Sequence, residues 1–101
     1  MSWGLPVEIE RRNRILLSLY AYSYEYQNDS LVSDGEFDAL CGKIDTSIDT
    51  GNELLDTFFR AEFSPDTGMW IHKHPERDKL ENMYQALKSG KWTTYRLKNR
   101  T

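Results

Sequence analysis

The sequence predicts a mostly α fold, a small single-domain bundle of about four helices, on three observations. The chain has 101 residues, room for one core and one site, near the lower end of what folds without disulfides or metals. Apolar residues recur at helical spacing in four separate segments. Turn-forming stretches, QNDSLVSDG, DTSIDTGN and SPDTG, lie between them. A hydrophobic fraction of 39% and an aromatic fraction of 13% suffice for a packed core and place the chain outside the disordered class.

The first helix starts near Pro6, where a first-turn proline is tolerated, and Glu8 and Glu10 suit the positive end of its dipole. Ile15, Leu16, Leu19, Tyr22, Ser23 and Tyr26 form one stripe, and no Gly or Pro interrupts the run before Asn28. Tyr20, Tyr22, Tyr24 and Tyr26 fall on every second position, the period of a strand. On the helix they become two i, i+4 pairs, Tyr20 with Tyr24 and Tyr22 with Tyr26, pointing roughly 160° apart. One pair therefore faces the core and the other faces something else.

Ser33 and Glu36 make an S-x-x-E capping box, so a second helix runs from Asp34 to about Ile44 with Phe37, Leu40, Cys41 and Ile44 on its apolar face. Asp34 and Asp38 lie one turn apart on that helix. Thr50 or Asn52 caps a third helix over residues 52–63, which carries Leu54, Leu55, Phe58, Phe59 and Phe63 on one broad face. MWIHKH reads as a short extended piece, with Trp70 anchoring its loop to the helices. After Pro75 a fourth helix carries Leu80, Met83, Tyr84 and Leu87 until Gly90 stops it. KWTTYRLKNRT, with β-branched and aromatic residues, reads as a short strand, half of a hairpin, or a tail.

No stretch approaches the roughly 20 apolar residues of a membrane span. The N-terminal MSWGLPVEIERRNR has acids and arginines where a signal peptide needs its apolar segment, so a cytoplasmic protein is expected. The single cysteine, Cys41, has no partner for an internal disulfide, in keeping with a reducing compartment. The formal charge of −3 is unevenly spread. Residues 88–101 carry five bases and no acid, leaving residues 1–87 with eight bases against sixteen acids. Such a tail touches an acidic partner or its own body, or is simply solvated.

The stretch YSYEYQNDSLVSDGEFDAL, with its helix, turn and capped helix, resembles the small N-terminal domain of bacterial NAD-dependent DNA ligases. The matching positions, without a gap, are Tyr24, Glu25, Ser33, Asp34, Phe37, Asp38 and Leu40, and the likeness covers residues 15–45. It implies a pocket for the nicotinamide mononucleotide half of NAD, in which Tyr24 is the stacking platform, Tyr20 and Glu25 are its neighbours, and Asp34 and Asp38 are polar anchors. Glu25 stands where that family has histidine and Phe37 where it has a second tyrosine, so one imidazole and one hydroxyl are absent. The physical reading is compatible: a pyridinium ring favours an aromatic face by roughly 0.5–2 kcal/mol, and carboxylates accept hydrogen bonds from ribose or carboxamide. Asp34 in a first helical turn is also stabilising with no ligand at all.

Other constellations are weaker. His72-x-His74 on an extended piece would present both rings to one side, near Asp66 and Glu76, but two imidazoles without a thiolate make a poor metal set, and no metal is expected. Cys41 on an apolar face reads as a structural thiol. Lys91, Trp92, Tyr95 and Arg96 interleave bases with aromatics, the composition of a single-strand nucleic-acid contact, which the acidic body opposes. Lys43-Ile44-Asp45-Thr46 lacks the glycine of the ligase K-x-D-G adenylation motif, and no nucleophile–base pair or phosphate-cradling glycine loop is visible, so no catalysis is expected.

Two functions follow as expectations. The first is a stand-alone, non-catalytic module of bacteriophage type that binds NAD, nicotinamide mononucleotide or a related nucleotide. The second is a protein-interaction module without a small ligand, such as a phage inhibitor of a host defence or replication enzyme, whose acidic surface suits a basic target. An open, concave side at Tyr24, Asp34 and Asp38 separates the two, since burial of Tyr24 under the Trp70 loop excludes the first.

Overall fold

The computed structural model of the protein describes residues 5–89. The C-terminal segment, expected as a short strand, half of a hairpin or a tail, and the candidates Lys91, Trp92, Tyr95 and Arg96 fall outside that range. Among the described residues four helices make a mostly α bundle: α1 (Pro6–Gln27), α2 (Asp34–Cys41), α3 (Glu53–Glu62) and α4 (Arg77–Lys88), with a 3-10 turn over Met69–Lys73 before α4. There is no strand among the described residues, and none of their helices is long and apolar enough to cross a membrane.

Helix α1, roughly 33 Å long at 1.5 Å per residue, is the mast to which α2, the 3-10 turn and α4 attach. Proline opens it, and the Leu5 carbonyl accepts from the Glu8 and Ile9 amides at 3.0 Å each. Asn28 ends it in the left-handed conformation at φ 52°, with the Asn28 and Asp29 amides both donating to the Ser23 carbonyl. The tyrosine ladder is helical. Tyr22 is buried, Tyr26 stacks on it at 5.0 Å between ring centroids, and Tyr84 of α4 meets it edge-on at 6.3 Å.

The buried face of α1 is rotated from the expected stripe. Glu10, Arg14, Leu17, Ser18 and Ala21 turn inward beside Leu19 and Tyr22, while Ile15 is exposed. Polar side chains reach the interior because they satisfy one another there, which apolar periodicity does not register. Helix α2 starts at its capping box as expected, Ser33 Oγ accepting from the Glu36 amide at 3.1 Å and Glu36 Oε1 from the Ser33 amide at 3.0 Å. It stops at Cys41, short of Ile44, where i→i+3 bonds from Lys43 and Ile44 tighten the chain. Asn52 caps α3, accepting from Leu55, and Gly51 at φ 86° supplies the left-handed step before it.

The core is aromatic. Phe58, Phe59 and Phe63 pack around Trp70 with ring centroids 5.4–6.1 Å apart, against Leu17, Leu19, Ile71, Leu80 and Cys41. Leu54, expected on that face, is exposed. MWIHKH is not extended: the Ile71 amide donates to Gly68 and the His74 amide to Ile71, the bonding of a 3-10 turn. Three residues per turn drive Trp70 and Ile71 inward together, which an alternating strand would not allow.

Arg14, 3% exposed, is the polar hub of this interior. Nε donates to Glu10 at 2.6 Å, Nη1 to Asp56 of α3 at 2.7 Å, and Nη2 to the Asp45 and Ile48 carbonyls at 2.9 and 3.0 Å. Its guanidinium lies 5.2 Å from the Phe59 ring centroid. Asp56 also accepts from the Thr50 amide at 2.9 Å and hydroxyl at 2.5 Å, and Glu10 from the Asp45 amide at 3.1 Å. Burial pushes the Asp56 carboxyl up, but the Thr50 hydrogen bonds and the Arg14 charge outweigh it and hold it below the usual carboxylate range. Glu10, expected to serve the helix dipole, is thus a buried ligand of Arg14.

Two outcomes follow from this interior. Arg14→Ala strands two carboxylates in the core and should cost about 3–5 kcal/mol, read as a shift of the urea midpoint; a loss below about 1 kcal/mol would remove Arg14 from its central place. His74, whose Nδ1 accepts from the Glu76 amide at 3.0 Å, is held neutral. Burial pushes its pKa down to about 4, helped by Arg77 and opposed by Glu76. A depressed pKa means that the unfolded chain binds the extra proton first, so stability should fall by roughly 2–3 kcal/mol as pH drops from about 6.5 to 4. Denaturation midpoints across that window should flatten in His74→Gln; an unchanged slope would assign the loss elsewhere.

Candidate functional site

The second half of α1 carries Tyr20 and Tyr24 on the side opposite Tyr22, and there the chain leaves an open cleft of about 200 Å³. One wall is Tyr20, Ala21, Tyr24 and Glu25 of α1, the floor is Leu31, Val32 and Phe37, and Ser30, Asp34, Thr67 and Gly68 complete the rim. Each wall has a local cause. The left-handed Asn28 turns the chain back so that residues 30–32 run beside α1. The Ser33 cap sets the start of α2 and with it Asp34. Phe37 packs half-buried on the core, and the loop at Gly68 lies beside its ring, where a Cβ would be 3.6 Å from Cζ, an ordinary contact distance.

Five of the six residues singled out from the sequence, Tyr20, Tyr24, Glu25, Asp34 and Phe37, line this one cleft. Asp38 does not: it is exposed one turn further along α2, outside the lining. Tyr24 is 58% exposed and is not covered by the Trp70 loop. Trp70 instead lies buried among Phe58, Phe59 and Phe63. Asp34 has no hydrogen bond or ion pair to the described residues, so its carboxylate oxygens are open to an incoming donor.

Sequence reasoning missed the web that braces Glu25. His72 Nε2 lies 3.0 Å from Glu25 Oε1 and His72 Nδ1 lies 3.1 Å from the Tyr26 hydroxyl, which also accepts from Arg77 Nη1 at 2.7 Å. A carboxylate only accepts, so Nε2 carries the proton; in the neutral ring Nδ1 then accepts from the Tyr26 hydroxyl. Donors and acceptors match along the whole chain. The 3-10 turn and the start of α4 are thereby tied to α1 at the edge of the cleft. Forty-seven residues separate Glu25 from His72, and no local pattern links them.

The two histidines do not share a side. His72 is 42% exposed and engaged with Glu25, while His74 is 5% exposed against Phe58, because the 3-10 turn breaks the alternation a strand would impose. Among the described residues no three His, Cys, Asp or Glu side chains are placed to hold a metal ion. Cys41 is buried on α2, and burial, with the nearby Asp38 charge second, pushes its thiol up to about 11.

No family model matches the chain, and no curated protein or solved structure matches it.

Cys41 offers a direct check on this packing. A buried thiol that stays protonated is a poor nucleophile, so the native protein should resist an aromatic disulfide reagent at pH 8 and release one equivalent on unfolding in guanidinium. Fast reaction of the native state would place Cys41 in contact with solvent.

Proposed function

We propose that the protein is a non-catalytic binding module whose cleft receives the nicotinamide end of NAD, nicotinamide mononucleotide or a related compound. The observation that carries this reading is the convergence of Tyr20, Tyr24, Glu25, Asp34 and Phe37, chosen on sequence pattern, on one open cleft. The chemistry is suitable. Tyr24 offers a solvent-accessible aromatic face, and Glu25 and Asp34 supply negative charge beside it. At about 200 Å³ the cleft is smaller than the roughly 300–1,000 Å³ of sites for drug-sized ligands. It suits a ring and a sugar, with the rest of a dinucleotide left outside.

A protein-interaction role is the second reading, favoured by a different face. A shallow apolar groove between α3 and residues 73–75 is lined by Leu54, Phe58 and Ala61 and flanked by Glu53, Glu62 and Lys73, the last two paired at 3.4 Å. Exposed Leu54 at its edge and this mixed charged border suit a partly apolar protein partner.

Calorimetric titration with NAD, nicotinamide mononucleotide and AMP tests the first reading. The two nicotinamide compounds should bind saturably and AMP should not. Tyr24→Ala should weaken binding roughly 2- to 30-fold, the loss of an aromatic–cation contact, and Asp34→Ala should weaken it while Asp38→Ala leaves it unchanged. Absence of heat at millimolar ligand would leave the groove on α3 as the better site to pursue.

A further inference from the structure

The charge of the cleft is one-sided. Among the described residues its lining holds two carboxylates, Glu25 and Asp34, four hydroxyl-bearing residues, Tyr20, Tyr24, Ser30 and Thr67, and no Lys, Arg or His. The nearest base in the web, His72, is already committed, one nitrogen to Glu25 at 3.0 Å and the other to the Tyr26 hydroxyl at 3.1 Å. Arg77 likewise donates to the Tyr26 hydroxyl at 2.7 Å and does not line the cleft. A phosphate entering the cleft would meet two like charges and, among the described lining residues, no cation to neutralise it. Sites that bind phosphate use Arg, Lys or a helix N-terminus, and the short α2, whose first turn already holds Asp34 and Glu36, is no such site.

A soft organic cation meets the opposite situation. Aromatic faces attract a charge spread over a ring or over methyl groups, and the attraction grows when carboxylates stand nearby. Tyr20, Tyr24 and Phe37 supply the faces and Glu25 and Asp34 the charge. Because His72 fixes one oxygen of Glu25, that carboxylate is held at the rim rather than free to swing into solvent.

We infer that the cleft selects a phosphate-free organic cation, an N-substituted pyridinium carrying at most a sugar, and that ring charge rather than phosphate determines binding. This rests on the cleft reading above and goes further, since it ranks the nucleoside above the nucleotide. Glu25 is the residue that sets the ranking: it attracts the ring and repels the phosphate.

The test is a calorimetric titration of the full chain with nicotinamide riboside, nicotinamide mononucleotide, the reduced riboside whose ring is uncharged, and choline. Nicotinamide riboside should bind about fivefold or more tighter than the mononucleotide, the effect of like-charge repulsion across a partly solvated cleft. The reduced riboside should bind at least about tenfold more weakly than the oxidised one. Glu25→Gln, with its fold checked by circular dichroism, should narrow the gap between riboside and mononucleotide. Equal or tighter binding of the mononucleotide, or equal binding of the reduced riboside, overturns the inference and leaves the nicotinamide reading standing. Binding of choline without any nicotinamide compound overturns the inference, since a pyridinium is then not selected, and removes the nicotinamide reading with it. Silence from all four removes both.

Discussion

One buried guanidinium organises this domain. Arg14 takes a carboxylate from its own helix, a carboxylate from α3 and two carbonyls from the loop between α2 and α3, so a single planar group fixes three segments at once. The loop of residues 42–52 has few apolar side chains with which to hold itself, and its attachment is almost wholly polar. Arg11 reinforces it by donating to the Thr50 carbonyl. Burying one cation with two anions is expensive unless nearly every hydrogen-bonding site is used, and here four guanidinium contacts and the Thr50 and Asp45 amides meet that condition. What the network contributes is position: α3 enters at the angle that brings Phe58 and Phe59 onto Trp70.

That arrangement frees the other end of α1 for a different task. With the core closed by Trp70, Ile71 and the α4 stripe, Tyr22 is drawn inward and Tyr20 and Tyr24 are left on the opposite side. A second polar web, Glu25 to His72 to Tyr26 to Arg77, pins the 3-10 turn beside them. Asp29 completes the frame by accepting from Tyr84 at 2.8 Å and Lys88 at 3.0 Å, joining the start of the cleft loop to the end of α4. These two hydrogen bonds hold the Asp29 carboxyl below its usual range and raise the two groups that donate them. The cleft is thus a gap left between well-braced elements, lined by aromatic faces and negative charge. Its electrostatics follow from what the bracing consumes, since the bases nearby, His72 and Arg77, are spent on holding the frame.

Much of this was legible in the sequence, and the reasons differ by element. Pro6, the Ser33–Glu36 capping box, Asn52 and the α4 stripe are local signals, each satisfied within a few residues, so the four helices and most of their starts could be read directly. The tyrosine ladder was decided by the absence of any break, whereas the five cleft residues were singled out by the resemblance to the ligase N-terminal domain and not by periodicity. The rotation of α1 could not be read, because Glu10 and Arg14 look like surface residues until Asp56 arrives from 42 positions away. Nor could the 3-10 turn, whose tryptophan and isoleucine are buried side by side only because α3 places three phenylalanines around them.

By itself the sequence determined the helical class and the order of the helices, since these depend on periodicity and capping within one stretch of chain. Tertiary structure alone decided which carboxylates are structural and which are open. Glu10 and Asp56 are bound to Arg14, Glu25 shares one oxygen with His72, and Asp34 is left to solvent. An acidic side chain carries the same charge wherever it lies in the sequence; whether that charge is neutralised inside or offered to a ligand depends on which base the fold brings within hydrogen-bonding distance.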